Sequence, residues 1–167
     1  MAVARLLRCM APVLVMAALM TLVPSAAASS GSAVRGGGIV AGPLGTTSQL
    51  GFTATSSGGS FLCVMAGRSG GFPFGPWQSI QQMHVQGRVT PGSLSISGGV
   101  ATFSGTATIH VVGTTSTGRL DMTLSAVPFT STQAAGGAGA AWHRLDVSGV
   151  GTFGPAKMAS GHITIWP

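Results

Sequence analysis

Residues 100–112 read VATFSGTATIHVV, and the prediction of the fold starts from them. Between Ala101 and Val111 the apolar side chains stand at odd positions, and hydroxyl or imidazole side chains stand at even positions. Because side chains in a β-strand alternate between two faces, the stretch predicts one long strand with one buried face. Gly105 stands in the apolar register, which indicates a bend, a bulge or a close backbone approach.

The same alternation recurs along the chain, between turns rich in glycine, serine and proline. It is clear at residues 49–56, 79–89, 119–127 and 142–153. Helical periodicity is missing from the sequence after residue 28. We therefore predict an all-β fold, a single antiparallel β-barrel or β-sandwich of about eight strands. Alternation is the same in both architectures and leaves that choice open.

Three segments carry more local predictions. Ile80 is out of phase with its neighbours, which indicates a bulge. Residues 119–127 alternate, with even positions including Ala126 predicted to face inward. Residues 131–141 are small and glycine-rich, a composition that favours a mobile loop.

The N-terminus has the three parts of a secretory signal peptide. Arg5 and Arg8 give a basic start, residues 9–23 are almost wholly apolar, and Ala26-Ala27-Ala28 supplies an A-x-A end. We predict a signal-peptide helix at residues 1–28, cleaved after Ala28 or, alternatively, after Ala26, and a secreted, extracellular protein. The apolar run is shorter than the roughly 20 residues that span a bilayer, so no stable membrane span is expected after cleavage.

The mature chain is predicted to hold one domain. Residues 29–38 are rich in serine and glycine and are expected to be flexible, and residues 39–167 suffice for a single β domain with a sizeable core. Removing Arg5 and Arg8 leaves six of the eight Lys/Arg side chains, which are widely scattered, against two acids. Because nucleic-acid binding requires clustered basic residues, that function is not predicted. A monomer is expected.

Residue types that carry catalysis or bind metals are sparse. The only carboxylate side chains, Asp121 and Asp146, are both predicted to face solvent beside arginines. The four histidines are His84, His110, His143 and His162. Their spacing gives no local pair of metal ligands, although neighbouring strands could bring two of them together. Cys63, the only cysteine after residue 28, lies in an apolar run and is predicted to be a buried hydrophobe. We expect no enzymatic activity, no cofactor and no metal.

The candidate ligand-binding residues are aromatic. Residues 67–77, GRSGGFPFGPW, interleave Phe72, Phe74 and Trp77 with glycine and proline. Such rings either cap the core or form an exposed binding patch. Trp142 stands at a segment end, where it could stack on a sugar or plug a barrel. The hydroxyl row of residues 102–108 could face a glycan or a partner sheet, and ordinary β-propensity also explains it.

Three short motifs resemble those of a known kind of module. Gly51-Phe52, residues 101–106 (ATFSGT) and residues 163–166 (ITIW) are similar to motifs of small secreted bacterial β-domains, the post-COAP-type modules of exported proteins. The resemblance implies a secreted β-domain without known catalysis. It assigns no functional residues.

These observations predict a secreted, non-catalytic binding or structural module outside the cell or on its surface. Its partner is unknown: another extracellular protein, a glycan or an apolar small molecule. The alternative is a small β-barrel carrier of an apolar ligand, suggested by Met65, Met83 and Met122 and by an inward face rich in small residues. A hydrolase is the third hypothesis.

Overall fold

The computed structural model describes residues 31–42, 46–65 and 78–167. The signal-peptide helix expected at residues 1–28 lies outside them. The described residues form ten strands: β1 (Ala33–Ala41), β2 (Thr47–Thr55), β3 (Gly58–Met65), β4 (Ser79–Val89), β5 (Ser95–Ser97), β6 (Val100–Thr115), β7 (Gly118–Ala134), β8 (Gly136–Gly137), β9 (Trp142–Val147) and β10 (Gly151–Trp166). A helix able to cross a membrane is absent from these ranges.

Eight of the strands close into an antiparallel barrel. Their order is β1-β2-β3-β4-β6-β7-β9-β10, and β10 pairs back onto β1 from Ala33 opposite Trp166 to Ala41 opposite Lys157. The two short strands lie off this ring, because β5 pairs with β6 and β8 pairs with β10. The predicted all-β fold is confirmed, and the architecture is a barrel.

The central strand is β6, which extends the predicted stretch to Thr115. Phe103, Ile109 and Val111 are fully buried, whereas Thr106 and Thr108 are exposed. The facing predicted from the alternation is therefore confirmed. The strand pairs with β4 on one side and with β7 on the other.

Four phenylalanine rings occupy the middle of the barrel. They come from four different strands, and neighbouring ring centroids are 5.0–6.5 Å apart: Phe52 on β2, Phe61 on β3, Phe103 on β6 and Phe129 on β7. Each is 5% exposed or less. The four rings belong to a single hydrophobic core cluster, and burial of each such ring stabilises a fold by about 1.5–3 kcal/mol.

Two inward-facing glycines make room for one of these rings. A Cβ atom at Gly87 would lie 2.5 Å from the ring of Phe129. A Cβ at Gly105 would overlap the carbonyl oxygen of Arg88 and would lie 3.0 Å from the same ring. Of the three features that the sequence allowed at Gly105, the structure shows the close backbone approach, and its partner is β4.

The first strand begins earlier than predicted. β1 starts at Ala33, inside the stretch 29–38 that was expected to be flexible, and it pairs with both β2 and β10. A Cβ at Gly36 would lie 2.9 Å from side-chain atoms of Phe52 and Ile163. Glycine is needed here for tight packing, whereas composition alone suggested mobility.

Two bulges interrupt the ladders on either side of β6. The one predicted at Ile80 is confirmed by a shift in the β4–β6 register between Ile80 and Gln82. In the second, Leu124 pairs with Ile109 and Val127 pairs with Ala107. Two residues of β7 therefore oppose the single residue between those partners on β6, which is the definition of a bulge.

The second bulge corrects two predictions for β7. Ala126 was predicted to face inward, but it lies in the bulge and is exposed. The extra residue moves the buried face from even to odd positions, so Phe129, Ser131 and Gln133 are buried. β7 consequently continues to Ala134 through the first part of the stretch predicted to be a mobile loop.

Replacement of Gly105 by alanine tests the close contact of β4 and β6. We expect Gly105→Ala to lower the free energy of unfolding by about 3 kcal/mol, because the added methyl group meets backbone that cannot move freely. The matched control is Gly51→Ala, where a Cβ has nothing within 4 Å. It should raise that free energy by about 0.5 kcal/mol through the unfolded chain. Urea unfolding measures both, and equal effects would contradict the assigned packing.

Candidate functional site

A groove of about 670 Å³ opens on the outer face of the barrel. It crosses β3, β4 and β6 and is bordered by the bulge in β7. Six of its lining side chains are exposed on these three strands: Ser60, Leu62, Gln86, Arg88, Thr106 and Thr108. The groove therefore combines hydroxyl, amide, guanidinium and aliphatic groups.

Strand register arranges these six side chains in two rows. Residues directly opposite one another on neighbouring strands lie about 4.5–5.5 Å apart and share a face of the sheet. The pairings of β3 with β4 and of β4 with β6 give the rows Ser60–Arg88–Thr106 and Leu62–Gln86–Thr108. The result is a continuous patch of two by three side chains.

The groove lies on the outer side of the barrel wall at Gly87, whose inner side contacts the ring of Phe129. Between the two rows runs an inward-facing row of Phe61, Gly87 and Ala107. Because Gly87 has no side chain, β4 can approach the ring of Phe129 closely. The groove therefore lies over the part of the barrel wall where Phe129 packs against the backbone of Gly87.

The rim of the groove holds a strained residue. Ala126 has φ of 56°, the single positive φ among the described non-glycine residues. The left-handed conformation costs about 1–2 kcal/mol for a residue with a Cβ. Strain of this kind persists only where the surrounding structure maintains it, and residues under such strain cluster at functional sites. The bulge that carries Ala126 thus shapes the groove at an energetic cost.

The charge in the groove is positive. Arg88 is the one charged side chain among the described residues that line it, and no carboxylate joins it there. The two acids lie elsewhere, each with a basic neighbour. Asp121 Oδ1 is 2.7 Å from His110 Nε2, and Asp146 accepts a hydrogen bond from Arg144 Nε at 3.0 Å. That hydrogen bond lowers the pKa of Asp146.

A second polar group of residues lies inside the barrel. Gln133 Nε2 is 2.7 Å from Ser131 Oγ and 2.7 Å from His143 Nδ1. The imidazole of His143 also stacks on Phe61, with centroids 6.0 Å apart. Burial lowers the pKa of His143 to about 4. At neutral pH this interior cluster of Ser131, Gln133 and His143 is therefore uncharged.

The predicted aromatic site is described only in part. Phe72, Phe74 and Trp77 lie outside the described residues. Trp142 is the first residue of β9, half-buried and on the parity opposite to the inward-facing His143. It therefore lies on the outer wall, and its strand is not one of those that form the groove.

Histidine and cysteine positions can be compared with their predictions. His84 and His110 are directly opposite each other on β4 and β6, so neighbouring strands do bring two histidines together. A cluster of three or more potential metal ligands is not found in residues 31–42, 46–65 and 78–167. Cys63 is buried, as predicted, and desolvation raises the pKa of its thiol to about 12.

Sequence reasoning did not identify Gln86 and Arg88 as site residues. Their outward facing was predicted from alternation, and Thr106 and Thr108 belonged to the hydroxyl row considered for a glycan. What was missing was the register, because only strand pairing places the three strands' side chains in common rows. The inward glycine at position 87 was the available signal of a depression.

Replacement of Ala126 by glycine tests the strain at the groove rim. We expect Ala126→Gly to raise the free energy of unfolding by about 1 kcal/mol, because glycine adopts positive φ without steric cost. Ala107→Gly, at a buried β6 position with ordinary φ, should instead lower it by about 1 kcal/mol. Urea unfolding of both variants gives the comparison. Destabilisation by both substitutions would contradict the strain.

The interior histidine predicts a dependence of stability on pH. The unfolded chain protonates His143 near its ordinary pKa of 6.5, and the folded chain does so only near 4. The contribution of neutral His143 to the free energy of unfolding is therefore complete above pH 6.5. It falls by about 3 kcal/mol as the pH drops to about 4. His143→Gln should remove this component, whereas His84→Gln should retain it. Urea unfolding near neutral pH and at about pH 4.5 measures the difference, and an unchanged slope in His143→Gln would contradict the assignment.

Comparisons with known proteins found no relative of this chain. No protein-family model, curated protein or solved structure matches the chain. The similarity of its short motifs to post-COAP-type modules therefore stays an expectation from the sequence.

Proposed function

We propose that this chain is an exported, non-catalytic binding module that holds a glycan in its outer groove. The groove of about 670 Å³ across β3, β4 and β6 is the observation that carries the proposal. The signal-peptide pattern of residues 1–28 supports an extracellular location. The motif resemblance to modules of exported bacterial proteins points the same way.

The two rows of side chains suit the chemistry of a sugar chain. Sugar hydroxyls both donate and accept hydrogen bonds, and the groove offers groups of both kinds on Gln86, Thr106 and Thr108. Leu62 is 40% exposed and provides an apolar contact for the C–H face of a sugar ring. Arg88 adds a fixed positive charge and favours a glycan that carries carboxylate or sulfate groups.

The second candidate is a carrier of an apolar ligand. Met65 and Met83 are buried and directly paired across β3 and β4, where flexible thioethers could adapt to a guest. The middle of the barrel is occupied by the phenylalanine cluster, so a guest would have to displace rings. A hydrolase has less support, because Asp121 and Asp146 each contact a basic side chain.

Binding of acidic polysaccharides tests the groove. Purified envelope polysaccharides of the host, with neutral and acidic fractions separated, are titrated into the mature protein by calorimetry. A hydrogen bond to a charged group contributes about 1.5–3 kcal/mol, so Arg88→Ala should weaken binding of the acidic fraction by roughly tenfold or more. Arg119→Ala removes an exposed arginine outside the groove and should leave the affinity unchanged.

Two results would overturn the proposal. One is the absence of binding to every fraction at millimolar concentration. The other is equal affinity of wild type and Arg88→Ala for a fraction that does bind, since the ligand would then lie elsewhere on the protein. Weakened binding by Arg119→Ala to the same extent would show a general effect of net charge, and it would also reject the groove.

A further inference from the structure

The interior cluster of Ser131, Gln133 and His143 leaves two polar atoms without partners. Gln133 Oε1 and His143 Nε2 are the buried side-chain atoms of the described residues that form no hydrogen bond. Gln133 is 0% exposed and His143 is 4% exposed, so bulk water does not reach them. A buried polar atom without a hydrogen bond is costly and rare in folded proteins.

The existing hydrogen bonds determine what each atom lacks. Gln133 Nε2 contacts both Ser131 Oγ and His143 Nδ1, and the amide nitrogen is a donor with two hydrogens. His143 Nδ1 therefore accepts, and the imidazole carries its proton on Nε2. The unpartnered His143 Nε2 needs an acceptor, and the unpartnered Gln133 Oε1 needs a donor.

Rotation of the amide by half a turn leads to the same requirement. The amide oxygen would then accept from Ser131 and from a protonated His143 Nδ1. The amide nitrogen would need an acceptor and His143 Nε2 would need a donor. In both arrangements the missing partners comprise one donor and one acceptor. A hydroxyl group supplies both.

We propose that the interior cluster is a binding site for a small neutral hydroxyl compound, which hydrogen-bonds to the side chains of Gln133 and His143. The hydroxyl belongs to water or to an alcohol group of an organic ligand. This site is separate from the outer groove, because Ser131, Gln133 and His143 come from the inward faces of β7 and β9 and do not line the groove.

The residues on either side of Gln133 and His143 have small side chains. Strand register places Ala101 beside Gln133 and Ala156 beside His143, so the row across four strands reads Ala–Gln–His–Ala. Two methyl side chains thus flank the two polar ones. Phe61 stacks on His143 and forms an apolar wall. A compact polar group with an apolar remainder fits this environment.

The site lies close to one end of the barrel. Gln133 is one residue from the end of β7, and His143 is one residue from the start of β9. The segment between these strands contains β8 and the buried Ala141, and its Ala141 carbonyl accepts a hydrogen bond from Met158. Access to the site is therefore shortest at this end. The low pKa of His143 supports a neutral guest, because no charge in the cluster would balance an ion.

A high-resolution crystal structure of the mature protein, combined with native mass spectrometry, tests the proposal. Isolated density within hydrogen-bond distance of Gln133 Oε1 or His143 Nε2, with no added mass, identifies water. Extended density with an added mass that is lost on denaturation identifies an organic alcohol. Absence of density beside both atoms would overturn the proposal.

Oxygen-17 magnetic relaxation dispersion provides a second measurement in solution, since it counts long-lived internal waters. The variant Ser131→Ala/Gln133→Met/His143→Phe replaces the polar cluster by apolar groups of similar size. If the guest is water, this variant should hold at least one fewer long-lived water than wild type. His84→Phe, on the outer wall, should retain the wild-type number. An unchanged number in the triple variant would contradict a water guest, and wild-type crystals decide the matter even if the triple variant fails to fold.

Discussion

The contact of Phe129 with the backbone of β4 and β6 constrains the rest of the structure. The ring lies where Gly87 and Gly105 have no side chains, and a methyl group at either position would collide with it or with Arg88. Close packing of this kind is as dense as an organic crystal and tolerates little change. The ring also stacks on Phe61, so the same contact ties the wall to the centre of the phenylalanine cluster.

Phe129 reaches that position because of the bulge in β7. One extra residue reverses the facing of everything that follows in the strand, and Phe129, Ser131 and Gln133 become interior residues together. The bulge places strained Ala126 on the rim of the groove at the same time. Both candidate sites, one inside the barrel and one outside, therefore depend on a single insertion in the ladder.

The sequence predicted those features that follow from local periodicity. The central strand, the facing of Phe103 and Thr106 and the bulge at Ile80 all rest on a period of two and are confirmed, and the close approach is one of the three features that the sequence allowed at Gly105. The choice of a barrel over a sandwich depends on the pairing of β1 with β10, which alternation does not contain. The start of β1 was missed because glycine was interpreted as flexibility, although Gly36 is required by its neighbours. The groove needs the register of three strands and the interior cluster needs the register of two, which no single stretch reveals.

Closure of the barrel also has a consequence for the order of folding. The first strand completes its pairing only with the last one, so contacts of the greatest sequence separation hold the ring together. Such contacts form slowly, because the entropic cost of closing a long loop is incurred before the contacts contribute any stabilisation. During synthesis from the N-terminus, the barrel therefore stays open until the sixteen residues of β10 are available. During that interval the strand edges that later disappear are exposed to other chains. Chaperone protection or dilute conditions would matter most at this stage.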